Sequence, residues 1–298
     1  MGKPYELLFC TVEMTESSHT PLICIVVINI LLAVTAFVGN LLILVALAKG
    51  CPLHPPSKLL LRSLAATDLC VGILAEPTFI VYWLSVVKKK MNFCLFVHRN
   101  TFVTGNMLCA VSILTMTTIA VERLLALTLG LRYGQVVTLK RIYVLLMIYW
   151  VFSIAGSTLH FVDYLVSLSY SYITTSLCLA ISIYCYAKIF FILRKNCQNR
   201  IRDQVQPSEA YQLNIARYRK AVNSALLLQV TLVICYFPFI MVAFFTTALG
   251  ISPAIYLAGN ITISLVFLNS SLNPVLYCWK IKEVRNSVKE TVRKLCHL

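Results

Sequence analysis

The sequence predicts an all-α fold, a seven-transmembrane helix bundle with a short amphipathic helix after the seventh span. Three observations carry that expectation. Hydrophobic residues make up 59% of the 298-residue chain and charged residues only 12%, against roughly 25% charged in an ordinary globular protein. The apolar residues are gathered into seven long runs, and a helix needs about 20 residues to cross a hydrocarbon core of ~30 Å. Lys and Arg fall in the short segments between the runs, which is the signature of membrane topology.

The runs lie at about 22–48, 58–86, 93–126, 139–162, 166–195, 217–248 and 254–278. Lipid offers the backbone no hydrogen bonds, so only helices or closed barrels cross it. None of the runs has the two-residue alternation of a barrel strand, and helices follow. The first run is preceded by a polar stretch containing Glu6, Glu13 and Glu16. That stretch has no short apolar core with a small-residue cleavage site, so the first run is expected to act as an uncleaved anchor. The second and third runs are separated by Lys88, Lys89 and Lys90, and the fourth opens with Lys140 and Arg141. The fourth and fifth are joined by a minimal connection near Phe161 to Ser167. The fifth and sixth are separated by a polar loop, Asn196 to Ala216, which contains Pro207 and is expected to be partly disordered. After the seventh run Ile281, Val284, Val288, Val292 and Leu295 recur at three- and four-residue steps with Lys and Arg between them. This is the pattern of an amphipathic helix lying on a membrane surface and in contact with its lipids. Cys296 is a candidate palmitoylation site, with a plain thiol as the alternative.

The basic residues orient the bundle. Arg132, Lys140, Arg141, Arg194, Lys195, Arg217, Arg219 and the tail residues Lys280, Lys282, Arg285 and Lys289 all fall on one side, whereas the other side holds Lys3, Lys88, Lys89, Lys90 and Arg99. The positive-inside rule puts the amino terminus outside the cell and the tail inside. Residues 1–21 are then an extracellular segment, 22–278 the seven-span domain, and 279–298 a cytoplasmic helix and tail of a multi-pass plasma-membrane protein. The net charge of +15 is a product of that topology and not of a nucleic-acid-binding patch, which would be clustered on one water-facing surface. Most of the twelve cysteines lie within apolar runs, where they read as small hydrophobes.

Polar groups within the runs are the candidates for function, because a charge in hydrocarbon is costly. Asp68 lies in the middle of the second run. Asn40 follows Gly39 in the first, Ser112 lies in the third, and Asn269, Ser270 and Asn273 lie in the seventh. Such a set can hold a hydrated sodium ion or a shared proton and water network. It can equally be structural glue between helices. Glu122 and Arg123 close the third run, where charged side chains often only snorkel to the surface. Pro238 and Pro274 each remove a backbone hydrogen bond and bend their helices, as hinges or as static shapes.

In order along the chain, Gly39-Asn40, Leu64-Ala-Ala-Thr-Asp68, Glu122-Arg123, Trp150, Cys235-Tyr-Phe-Pro238 and Asn273-Pro-Val-Leu-Tyr277 closely resemble the rhodopsin-like family of G-protein-coupled receptors. The stretch Leu131-Arg-Tyr133 to Lys140-Arg141, the minimal fourth-to-fifth connection and the proline-free fifth run look most like the melanocortin branch, with adenosine and cannabinoid receptors as neighbours. The resemblance implies a receptor that passes an extracellular ligand signal to a heterotrimeric G protein and catalyses no reaction. It implies that Glu122 and Arg123 meet the G protein and that Tyr186 and Tyr277 support the active arrangement. Asn40, Asp68, Ser112, Asn269, Ser270 and Asn273 would form the sodium and switch network, with no other cofactor. Tyr236 stands where the family usually has Trp and, with Pro238 and Pro274, would form the toggle and hinges. The ligand would meet Gly105, Asn106, Cys109, Phe239, Phe267 and, from the second helix, Glu76, which can instead hydrogen-bond a neighbouring helix.

The departures from the family pattern are also informative. Gly105 occupies the position of the amine-receptor Asp, which disfavours a monoamine, and Phe267 occupies that of the opsin Lys, which disfavours retinal. His98 and Phe102 stand where melanocortin receptors carry acids, so a strongly basic peptide loses its partners. His98 also replaces the family's third-helix cysteine. Cys94 can pair with Cys10 or Cys24, or remain free. The sixth helix offers Arg217, Tyr218, Arg219 and Lys220 at its inner end and no acid to restrain Arg123, so appreciable basal activity is expected. Rival readings are a non-coupling decoy, which intact Glu122-Arg123 argues against, and a transporter, which would show inverted repeats. An enzyme is disfavoured because His160 and Asp163 have no catalytic companions.

Overall fold

The computed structural model describes residue 10 and residues 19–48, 53–202, 209–280 and 282–296, with side chains described outside 19–22, 196–197, 199–228, 280 and 295–296. Eight long helical elements follow in order. They are α1 (His19–Ala48), α2 (Pro55–Val87), α3 (Met91–Leu129), α4 (Leu139–Thr158), α5 (Tyr164–Arg202), α6 (Glu209–Leu249), α7 (Pro253–Lys280) and α8 (Lys282–Cys296). Among the described residues, seven helices are long and apolar enough to cross a membrane, and there are no strands.

The helices close into a ring, α1 against α2 and α7, α5 against α6, and α6 against α7. The third helix runs through the middle and packs on α2, α4 and α5. Its apolar window is 67% buried, while those of α1, α4 and α6 are 28% buried. The polarity of the bundle is inverted relative to a water-soluble fold. Asn29, Asn40, Asp68, Asn269 and Asn273 are all fully buried, while Val27, Leu31, Val34 and Val38 of α1 form an exposed stripe. A stripe of that kind would be costly in water and costs nothing against lipid tails.

Small residues set the closest helix approaches. A Cβ on Gly39 would lie 2.8 Å from Pro274 Cγ, so only glycine lets α1 rest on the α7 proline. A Cβ on Gly72 would lie 3.0 Å from the Ala33 carbonyl and Phe37 amide of α1. This second contact falls in a π-helical turn, Val71–Ala75, between the α-helical parts Pro55–Cys70 and Glu76–Val87 of α2. The extra residue in that turn rotates everything after it, including Glu76, relative to Asp68. Apolar periodicity carries no trace of such a turn.

The amphipathic stripe is only partly exposed. Val284 is fully buried and Val288 packs beside it in the main core, as α8 lies against α1 and α7. The side chain of Cys296 is outside the described residues. The α4–α5 connection is as short as its sequence suggests, with a 3₁₀ turn at Leu159–Phe161 and α5 beginning at Tyr164.

Of the polar loop expected to be partly disordered, residues 196–202 and 209–216 are helical, since α5 extends to Arg202 and α6 begins at Glu209, while residues 203–208, with Pro207, lie outside the described residues. A 20-residue apolar window measures where the chain leaves the hydrocarbon. Helix itself continues into water wherever Ala, Arg, Lys and Gln favour it.

Candidate functional site

Three groups of polar side chains are stacked along the bundle axis. At mid-bundle, the carboxylate of Asp68 on α2 is held by two neighbouring helices, α3 and α7. Its Oδ1 accepts hydrogen bonds from Ser112 Oγ at 2.9 Å and Ser270 Oγ at 2.8 Å, and its Oδ2 accepts one from Asn273 Nδ2 at 2.7 Å. Asn40 joins from α1, donating through Nδ2 to the Ser270 carbonyl at 3.0 Å. Asn269 donates to Met116 Sδ at 3.3 Å. All six residues singled out from the sequence therefore converge here. The amide oxygens of Asn40, Asn269 and Asn273 are buried without a hydrogen-bond partner. A carboxylate, two hydroxyls and three orphan amide oxygens make an all-oxygen donor set, which suits a hard cation such as sodium together with its water.

At the α8 end, Glu122 is buried and Arg123 is partly exposed, with Arg123 Nε 3.4 Å from Glu122 Oε2. The other carboxylate oxygen, Oε1, accepts from Ser57 Oγ of α2 at 2.6 Å and from the hydroxyl of Tyr133. Tyr133 reaches back because the chain after α3 turns through a 3₁₀ segment, Gly130–Arg132, into a short helical turn, Tyr133–Val136. Ser57 and Tyr133 are functional candidates that sequence reading missed. Their only trace is the acid that needs partners. Tyr186 packs against Ala120 at the same level, and Tyr277 lies within electrostatic reach of both Tyr186 and Asp68.

At the amino-terminal end a cavity of about 170 Å³ opens between α2, α3, α5, α6 and α7. Gly105, Asn106, Cys109, Tyr236, Phe239 and Phe267 all line it, as their sequence positions implied. Phe79 and Phe267 meet edge to face with ring centres 5.6 Å apart, and the hydroxyls of Tyr82 and Tyr256 are hydrogen-bonded. Tyr236 belongs to both the cavity wall and the core beneath it, while Pro238 and Pro274 lie inside continuous helices. Around the mouth, His98 lies 5.2 Å from the Tyr82 ring and 6.2 Å from that of His160.

Glu76 is fully buried and is not among the cavity-lining residues, and the alternative of a helix-to-helix hydrogen bond is corrected, since neither carboxyl oxygen has a hydrogen-bond partner. The π turn just before it is the physical reason, since it shifts the face on which Glu76 falls. The cysteines at this end resolve as a Cys10–Cys94 disulfide, which fastens the amino-terminal segment to α3, with Cys24 free and exposed. Asn260, in a glycosylation-type sequence, is buried and donates to the Tyr256 carbonyl at 2.7 Å.

This layout of a cavity at the amino-terminal end, a buried carboxylate at mid-bundle and a Glu-Arg pair at the α8 end is the anatomy of a seven-helix receptor. Residues 39–277 match the family model described as 7 transmembrane receptor (rhodopsin family), and the chain belongs to that family. It is a G-protein-coupled receptor, a multi-pass membrane protein that signals and is not an enzyme. Among curated relatives it is 24% identical to melanocortin receptor 5 of Rattus norvegicus, over 89% of this chain and 82% of that one. It is 26% identical to adenosine receptor A3 of Canis lupus familiaris, over 88% of each. It is also 26% identical to the histamine H2 receptor of Cavia porcellus, over 89% of this chain and 78% of the relative.

Proposed function

We propose that the chain is a plasma-membrane receptor with an extracellular amino terminus. A ligand entering the cavity shifts the helix packing, and the Glu122-Arg123 end engages the G protein. The observation that carries this reading is the continuity of the polar column. Tyr236 links the cavity wall to the core, Asp68 ties α2, α3 and α7 together at mid-bundle, and Tyr277 lies within reach of both Asp68 and Tyr186. A ligand with unequal affinity for two packings would bias them. The outward swing of α6 about Pro238 is the movement that exposes Arg123. Asp68 and the orphan amide oxygens around it would hold a sodium ion that favours the inactive packing, with Ser112 and Ser270 orienting the carboxylate.

Relatives named for melanocortin, adenosine and histamine are 24–26% identical to this chain, a range that does not choose among those ligands. The basic α8 and inner loops suit anionic lipid. The test is ligand-free dissociation of each G-protein class in cells, comparing wild type with Arg123→Ala at equal surface expression. The expected result is a basal signal in the wild type that the variant loses. A basal signal unchanged by the substitution would remove Arg123 from the proposed role, and silence of both constructs would favour the decoy.

A further inference from the structure

Along α5, Val166, Tyr170, Ile173 and Leu177 fall at three- and four-residue steps and so share one face of the helix. Val166, Ile173 and Leu177 are exposed, as side chains that meet lipid are. Tyr170 is half-buried, and among the described residues it is the one member of this face that also lines the cavity. Leu168, Ser171 and Thr174, which line the cavity from the same helix, are buried. A single ring therefore stands between the cavity and the bilayer.

The seat of that ring is on α4. A Cβ on Gly156 would lie 2.0 Å from Tyr170 Cζ, so the ring rests on bare backbone that only glycine offers. The Tyr170 hydroxyl donates to the Phe152 carbonyl at 3.1 Å, and the Phe152 and Tyr170 ring centres are 5.2 Å apart. Phe152 is itself exposed. Helix α4 packs chiefly on α3 and only sparsely on α5, so little else closes the seam. A lone hydrogen bond between helices in a bilayer is weak, and partly exposed side chains change rotamer in picoseconds to nanoseconds. The amino-terminal end is more crowded. Phe102 stacks on His160 with ring centres 4.5 Å apart, Tyr164 lies 5.3 Å from Phe102, and the Tyr82 and Tyr256 hydroxyls bridge α2 and α7. Several packed groups must part there, against one at the seam.

We infer that the α4–α5 seam is a lateral entrance to the cavity, closed by Tyr170 on Gly156, and that it admits a small apolar molecule dissolved in the bilayer. The hydrophobic effect concentrates such a molecule in the hydrocarbon, and the lipid-facing rim of Phe152, Val166 and Ile173 presents it with apolar side chains only. The inference rests on reading the cavity as the ligand site.

The test uses the purified receptor in nanodiscs with two photoreactive probes. One is phenyl(trifluoromethyl)diazirine, which partitions into lipid, and the other is its para-carboxylate, which stays in water. Cys109 lines the cavity from the central helix and reports entry, while Leu177 on the lipid-facing side of α5 reports contact with the bilayer. The readout is the labelling of Cys109 relative to Leu177 by mass spectrometry. In wild type the apolar probe is expected to label both residues and the carboxylate neither. Tyr170→Ala should raise the ratio several-fold. Tyr170→Phe keeps the ring over Gly156 and loses only the bond to Phe152; it should raise the ratio less, and it guards against misfolding of the alanine variant.

Absence of Cys109 labelling in wild type would overturn the inference, as would a ratio that neither substitution raises. Labelling of Cys109 by the carboxylate to the same extent as by the apolar probe would also overturn it, by placing the entrance at the water-facing end. The ligand-free signalling comparison uses neither probe, so these failures would leave the receptor reading standing.

Discussion

Asp68 is a fully buried carboxylate whose hydrogen-bond partners are all neutral. Hydroxyl and amide donors stabilise the charge without cancelling it, which leaves the site receptive to a cation. Asp68→Asn keeps the shape and removes the charge. In that variant, replacing sodium by choline should no longer change ligand-free signalling, whereas in the wild type the exchange should raise it. A similar argument applies to Glu122, whose Oε1 is engaged by Ser57 and Tyr133 while Oε2 faces Arg123. Removing both hydroxyls, in Ser57→Ala with Tyr133→Phe, leaves a buried carboxylate that must take its hydrogen bonds from Arg123. Basal signalling should fall in that double variant and rise in Glu122→Gln, measured at matched surface expression; an increase in both would show that the hydroxyls restrain Arg123 rather than compete with it. The members of the mid-bundle network were legible because each is a polar residue inside an apolar run. Ser57 and Tyr133 were not, because neither lies deep in a span and only the turn after α3 brings Tyr133 back to Glu122. The missing partner of Glu76 was not legible for a related reason, since a face assigned at 3.6 residues per turn fails across a π turn.

At the scale of elements, span number and approximate position were readable from length and hydropathy alone, because lipid enforces both. Helix ends outside the lipid were not, as the extensions of α5 and α6 show, and neither was the approach of α1 to α7. The latter depends on Gly39 facing Pro274, two residues far apart in sequence whose pairing leaves no periodic mark. Adding a side chain there must push the helices apart. Gly39→Val should cost about 1–3 kcal/mol, as overpacked interiors do, and should weaken the neighbouring bond from Asn40 to the Ser270 carbonyl. A lower melting temperature of the purified receptor would register it, and an unchanged one would mean that α1 is free to shift. The Cys10–Cys94 disulfide spans 84 residues, and closing a loop of roughly that length in a free chain is worth about 4–5 kcal/mol. Here α1 and α2 lie inside the loop and stay inserted when tertiary packing is lost, so much of that entropy is never released. Cys10→Ser should therefore destabilise by only about 2 kcal/mol or less, below the range of small secreted domains.

Over the whole molecule, the stacking of cavity, Asp68 network and Glu122-Arg123 pair makes each level sensitive to the packing of the same few helices. Asp68 is bonded to α3 through Ser112 and to α7 through Ser270 and Asn273, and α3 carries Arg123 at its far end. A sodium ion that tightens the Asp68 level must therefore oppose whatever rearrangement the G protein requires, and linkage makes the opposition mutual. If sodium weakens G-protein binding by some factor, the G protein must weaken sodium binding by the same factor, typically ~5–150-fold for a coupling of about 1–3 kcal/mol. Two titrations on purified receptor in nanodiscs would measure it: G-protein affinity with and without saturating sodium, and the sodium midpoint with and without G protein. Equal factors in the two titrations, both collapsing to one in Asp68→Asn, are the expected outcome. A sodium effect on G-protein binding that survives Asp68→Asn would place the ion elsewhere and leave the buried carboxylate as a fastening between helices.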